Sequence, residues 1–212
     1  MYEPPHHREE DLAKQHALIR AHPLGLLISG SSNGLAANPI PFLIDPDASR
    51  LGTLRAHVAR INPQWRDLEQ APDALVVFQG ADHYISPSWY ATKRESGKVV
   101  PTWNYVMVQA RGKAAVIHDD AWLARQIAAL TDSRESGRSP SWAVADAPAD
   151  FIAMQRRAIV GIEIEILDIR GKWKTSQNRS VADRTGVVSG LKEIGGDEAA
   201  EMAVLVREAG LD

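Results

Sequence analysis

The sequence contains no cysteine. That excludes disulfides, thiolate metal sites and thiol nucleophiles, and it suits a reducing compartment. Long apolar runs are also missing. None approaches the roughly 18 residues that span a bilayer, and the opening MYEPPHHREED is too charged and too rich in proline for a signal peptide. The expected location is therefore the cytoplasm, with no membrane partner. Positive charge is in short supply: 24 Lys and Arg against 27 Asp and Glu leave a net charge of -3. This argues against broad nonspecific binding of nucleic acid. Several motifs are absent as well. No GxGxxG follows a strand and no GxxxxGK[ST] occurs, so neither kind of glycine-rich phosphate loop is indicated. No HxxxH or HExxH pairing exists, His6 and His7 read as exposed neighbours, and no metal site is expected. No GxSxG marks a nucleophile, and Ser86 and Ser88 around Pro87 read as residues that make turns or bind a ligand rather than attack one. No catalytic residue is assigned.

What is present fits an ordinary globular chain. It has 212 residues, 44% hydrophobic and 24% charged, enough for one large domain with a core that needs no staples. EEDLAKQHALIRA reads as a helix stopped by Pro23. LGLLISG reads as a buried strand, SSNG as a hairpin turn, and LAANPIPFLID as a second strand. Pro39 and Pro41 each remove a ladder donor, so that strand should be an edge or locally irregular. TLRAHVA is a third strand, and NPQWRDLEQ is a short helix with Asn62 as N-cap and Pro63 at its first position. DALVVFQG and VPTWNYVMVQARGKAAVIHD follow as strands, the latter bent at Gly112. DAWLARQIAALTD and APADFIAMQRRA are helices. In AIVGIEIEILDI, Ile162, Ile164 and Ile166 alternate with Glu163 and Glu165, the pattern of a half-buried strand. From about Arg179 the tail is helical with glycine interruptions. Strands in hairpin order with few helices between them argue for an antiparallel barrel.

Aromatics are only 6% of the chain, yet YISPSWYATKRESGKVVPTWNY gathers Tyr84, Trp89, Tyr90, Trp103 and Tyr105 beside Lys93, Arg94 and Lys98. Rings mixed with hydroxyls and cations suggest the wall of a site. Two other stretches carry chemistry. RAHVARINPQW places His57, Arg60 and Asn62 where a strand ends and a helix begins, which suits an anion. An ordinary solvated arginine beside a core histidine would leave the same pattern. GKWKTSQNR sets Lys172 and Lys174 around Trp173, then Thr, Ser, Gln and Asn, which can read the polar edge of a ring ligand. A surface turn with lysine stems lying along apolar surface is the competing reading.

The strings AANPIPF, AHVARINPQW, VVFQG, YISPSWYATK, VVPTWNY and KWKTSQNR together resemble the PaiB family of FMN-binding negative transcriptional regulators, over nearly the whole chain. His7 and Ile61 depart from the family pattern. The resemblance implies a mainly β fold with peripheral helices (α+β), an antiparallel split β-barrel of the FMN-binding type. The barrel with its helices is expected over residues 1–178, with a helical segment at 179–212 packed on the same domain. A homodimer is implied, with FMN as cofactor. By that analogy His57, Arg60 and Asn62 take the phosphate or ribityl chain. Thr102, Trp103 and Asn104 lie where the partner subunit touches the flavin, and Lys172, Lys174, Ser176 and Gln177 close the site. DNA is a partner implied by the family and unsupported by the charge. The rival readings are a flavin-dependent oxidoreductase acting on a small molecule and a flavin-free interaction module.

Overall fold

The computed structural model describes residues 1–31 and 34–210. In chain order the elements are β1 (Arg8–Glu9), α1 (Leu12–Ala21), β2 (Leu24–Ser31), β3 (Gly34–Pro41), β4 (Leu43–Asp45), β5 (Thr53–Ala59), α2 (Gln64–Gln70) and β6 (Asp73–Ile85), then α3 (Thr92–Ser96), β7 (Thr102–Ile117), α4 (Asp120–Glu135), α5 (Ala149–Arg157), β8 (Ile159–Lys174), α6 (Val181–Ile194) and α7 (Asp197–Glu208). The strands form one antiparallel sheet in the order β3-β2-β6-β7-β8-β5-β4, with β1 added against β8. Its path ends at β3 and β4 without closing, which makes the architecture a split barrel of the α+β class. No helix among the described residues is long and apolar enough to cross a membrane.

The chain forms two compact units. The first comprises residues 1–15, 79–108 and 170–212, and the second 16–78 and 109–169. Strands β6, β7 and β8 each contribute residues to both. The helical tail belongs to the first unit, together with residues 170–178.

In the second unit the sequence alternation becomes register. Leu54 of β5 faces Ile164 of β8, Ala56 faces Ile162 and Val58 faces Val160, and all six are buried. Between these pairs Arg55 opposes Glu163, and their side chains meet at 3.3 Å. Shifting β8 by one residue would bury the glutamates, so the pattern fixes the pairing. Pro39 and Pro41 do lie on an edge strand, paired to Leu26 and Leu24 of β2. The single strand expected from 35 to 45 divides at Phe42, whose buried ring meets Phe78 edge-on with centroids 5.8 Å apart. Residues 32 and 33 of the expected SSNG turn lie outside the described residues. Helix α2 begins at Gln64, one residue later than expected, with Pro63 at its N-cap position, while Asn62 Oδ1 accepts from Gln64 N at 3.0 Å. Gly112 serves close approach: a Cβ there would come within 1.9 Å of the Glu165 carbonyl oxygen.

In the first unit, α6 and α7 pack with Ile85 and Tyr90 around Val187, Leu191, Met202 and Val206. The glycines that interrupt the tail have a purpose here. A Cβ at Gly186 would lie 1.9 Å from the Trp89 carbonyl oxygen, and one at Gly190 would lie 2.4 Å from the Trp89 ring. The two glycines, one helical turn apart, form a slot for Trp89. Arg184 sits under the residues that follow α7, its guanidinium donating to the carbonyls of Ala209 (2.6 Å) and Gly210 (2.9 Å).

Gly186→Ala tests the slot. An exposed helix gains about 1 kcal/mol from Gly→Ala, but overpacking against backbone costs about 1–3 kcal/mol. The urea midpoint of Gly186→Ala should therefore fall at an unchanged slope. A rise would mean that α6 does not rest on Trp89.

Candidate functional site

The site in the first unit begins where β8 ends. Past Lys174 the chain turns sharply, and Ser176 takes a left-handed backbone with φ of 65°. For a residue other than glycine this conformation costs roughly 1–3 kcal/mol and persists only where the surroundings enforce it. They do so here through two side chains. Asn104, buried on β7, donates from Nδ2 to the Ser176 hydroxyl at 3.0 Å. Gln177 accepts from Thr175 N at 2.8 Å and donates to the Trp173 carbonyl, with His7 Nδ1 3.1 Å from its Oε1.

This turn forms one wall of a cavity of about 120 Å³. Thr102, Asn104, Lys174 and Ser176 come together on it, so four of the residues singled out in the sequence share one site. Tyr90, Val100, Pro101, Asn178 and Arg179 complete the lining. Lys174 Nζ donates to Thr102 Oγ1. Burial pulls the Lys174 pKa below its ordinary 10.5; Tyr105 opposes that shift and the Lys172 charge adds to it. Among the described residues the buried Tyr90 hydroxyl has no hydrogen-bond partner. Burial raises the Tyr90 pKa above 10.0, Arg179 opposing and Asp183 adding. The Arg179 guanidinium lies 4.5 Å from the centroid of the Tyr90 ring, a cation–π geometry. Asp183 is turned elsewhere, accepting from Thr92 N and Oγ1 at 2.9 Å each.

The lining thus holds two cations, several hydroxyl and amide groups and no carboxylate. Such a site attracts an oxyanion. Its donors are positioned for binding, and nothing in the lining pairs a base with a nucleophile. The volume admits one polar group of a ligand, since sites that enclose whole small molecules run to roughly 300–1,000 Å³.

The other expected residues are placed differently. Lys172 is buried outside the lining; its ammonium donates to the Tyr2 carbonyl at 3.0 Å and lies 5.4 Å and 5.1 Å from the Tyr2 and Tyr105 ring centroids. Trp103 is half exposed and meets Tyr84 edge-on at 6.0 Å. Gln177 shapes the turn and does not line the cavity. His57, Arg60 and Asn62 belong to the second unit. There Arg60 donates to the carbonyls of Arg157 and Ile159, at 2.9 Å each, and holds the start of β8. His57 Nδ1 is buried without a partner among the described residues, and burial lowers the ring's pKa below 6.5.

Two contributors escaped the sequence reading. Tyr90 and Arg179 both stand in the quoted strings, one amid the aromatic cluster and one closing KWKTSQNR. Nothing in their spacing shows that they stack on each other across 89 residues of chain.

The sequence matches the family described as "Putative FMN-binding domain" over residues 1–168. It is 36% identical over 239 aligned positions to an uncharacterized protein of Emericella nidulans, covering 96% of this chain and 95% of that one. It is also 36% identical to the protease synthase and sporulation protein PAI 2 of Bacillus subtilis, covering 73% of this chain and 72% of that one. Among solved structures it is similar to the FAD and heme binding protein of Mycobacterium smegmatis, with a TM-score of 0.58 and 20% identity over 79% of this chain and 73% of that one. That likeness is one of fold.

The buried imidazole makes stability depend on pH. The unfolded chain takes up a proton on His57 near pH 6.5, whereas the folded chain resists it to lower pH. Stability is therefore complete above about pH 6.5 and is lost as pH falls towards the folded pKa. His7 adds to this loss, its pKa lowered by burial first and then by His6, Lys174 and Lys172, against the Gln177 bond. Urea unfolding of His57→Gln should show a smaller stability difference between pH 7.5 and pH 5.5 than the wild type. An undiminished difference would place the titration elsewhere.

Proposed function

The chain belongs to the family of FMN-binding domains matched over residues 1–168, and from that premise we propose that the cavity of Lys174, Arg179 and Tyr90 holds the phosphate end of FMN. The observation that carries this reading is the cavity's charge: two cations and an unpartnered buried hydroxyl, with no carboxylate to repel an anion. When bound, the flavin supplies the electron chemistry. This chain's residues bind and orient it. Lys174 gives up hydration on burial and regains an electrostatic partner when an anion enters. Asn104 and Ser176 hold the turn that aims Lys174 and Arg179.

The cavity encloses one group only, so the ring system must be covered by something else. We assign that role to a second copy of the chain, in a homodimer. The half-exposed Tyr84 and Trp103, stacked edge-on in the same unit, support such a contact. His57, Arg60 and Asn62 in the second unit remain a separate candidate contact for the cofactor.

For the output we favour negative regulation of transcription, as the PaiB resemblance implies. The net charge of -3 favours action through a partner over a broad basic DNA face, because operator binding depends on several Lys and Arg contacts to phosphate. A flavin-dependent oxidoreductase would use the same cavity. NADPH consumption by the flavin-loaded protein separates that reading from regulation.

Two measurements test the proposal. In FMN titrations, Lys174→Ala or Arg179→Ala should each weaken binding by about 1.5–3 kcal/mol, the worth of a hydrogen bond to a charged group. Midpoints equal to wild type would move the phosphate elsewhere. Sedimentation at micromolar concentration should give about twice the 23.2 kDa chain mass, and a monomer that binds FMN with full affinity would overturn the composite site.

A further inference from the structure

A second cavity, of about 540 Å³, lies wholly within the second unit and owes nothing to the flavin reading. It is bounded by α4 on one side and by β4, β5 and β8 on the other. Its size is that of a site for a whole small molecule.

The charges on its wall are arranged unevenly. Asp45 and Glu163 both bind one guanidinium, that of Arg55, at 2.9 Å and 3.3 Å. Two carboxylates sharing one cation leave an excess negative charge. On the α4 side Arg125 lines the same cavity and has no ion pair or hydrogen bond among the described residues. The strand side of the lining therefore carries surplus negative charge, and α4 contributes a positive one.

Beside Arg125 stands Gln126, only 3% exposed, whose amide nitrogen has no hydrogen-bond partner among the described residues. A buried orphan donor is uncommon in folded proteins and calls for an acceptor. The apolar part of the wall is fixed in place. Trp122 lies against Gly161, where a Cβ would come within 2.4 Å of the ring, and its Nε1 donates to Glu163 Oε2 at 3.4 Å. Asp119 caps α4 by accepting from Trp122 N at 2.7 Å, which sets the helix that carries Trp122, Arg125 and Gln126. The ring is thus held before any ligand arrives.

We propose that this cavity binds a zwitterionic α-amino acid with an apolar side chain. The carboxylate pairs with Arg125 and accepts from the Gln126 amide. The ammonium pairs with the excess charge of Asp45 and Glu163. The side chain packs on Trp122 and the Leu43–Pro46 wall. Both charges of the ligand are used, so molecules that keep only one of them bind less well.

The test titrates the FMN-loaded protein by calorimetry with L-phenylalanine, 3-phenylpropionate and phenethylamine. L-phenylalanine should bind saturably, and each single-charge analogue at least about tenfold more weakly, a difference of about 1.4 kcal/mol. Arg125→Gln, a change at an exposed position, should weaken L-phenylalanine by at least about tenfold and leave phenethylamine unaffected. FMN absorbance and affinity should be the same in this variant as in the wild type. Absence of saturable L-phenylalanine binding, equal binding of the three probes, or an unchanged affinity in Arg125→Gln would each overturn the proposal.

Discussion

A lysine ammonium taken out of water needs other dipoles to replace its hydration, and the first unit is organised around that need. Lys172 is buried, yet among the described residues no carboxylate neutralises it; a backbone carbonyl and the faces of Tyr2 and Tyr105 do the work of solvent. Lys174, two residues on, leans on Thr102 and on the same Tyr105 ring, 5.9 Å from its centroid. Arg179 stacks on Tyr90. This accounts for Tyr90 and Tyr105 in the ring-rich segment, whereas its own cations Lys93, Arg94 and Lys98 are exposed. The aromatic segment and the KWKTSQNR segment are partners, each supplying what the other lacks. Rings stabilise the positive charge without cancelling it, so the charge stays available to an anion. A glutamate in their place would bind the lysines more tightly and close the site.

Much of the fold could be read from period and punctuation. The Ile162, Ile164, Ile166 alternation appears as the buried side of β8, and the two prolines mark an edge strand as the missing donors require. The short helix after Asn62 begins at Gln64, one residue beyond the expected start, with Asn62 holding its first amide. Boundaries were less legible. The strand expected from 35 to 45 breaks at Phe42, because that ring turns into the core, a tertiary preference with no local signature. Gly112 read as a bend, but its neighbour is a carbonyl oxygen from a residue more than fifty positions away. Gly186 and Gly190 read as weakness in a helix and serve as a slot for Trp89. Glycines whose reason is another segment's backbone cannot be told from flexible ones in a single sequence.

The site was legible in part. Thr102, Asn104, Lys174 and Ser176 do gather on one cavity, since two strand ends carry them. Arg60 shows the limit. Its position at a strand end before a helix suits an anion, but its guanidinium holds the carbonyls of Arg157 and Ile159, a use that leaves no local trace. Removing it would disturb the start of β8 as well as any ligand. Tyr90 and Arg179 were hidden for the reverse reason: their value lies in each other.

The interleaving of the chain has a consequence for inheritance. The first unit is assembled from three separated stretches, and β6, β7 and β8 each pass from one unit to the other. No single cut in the gene can release either unit as a working piece. A recombination event that carried the cation-lined cavity into another protein would have to bring the amino-acid cavity with it. The two sites are therefore bound to a common descent, and change in one must be tolerated by the strands that also build the other.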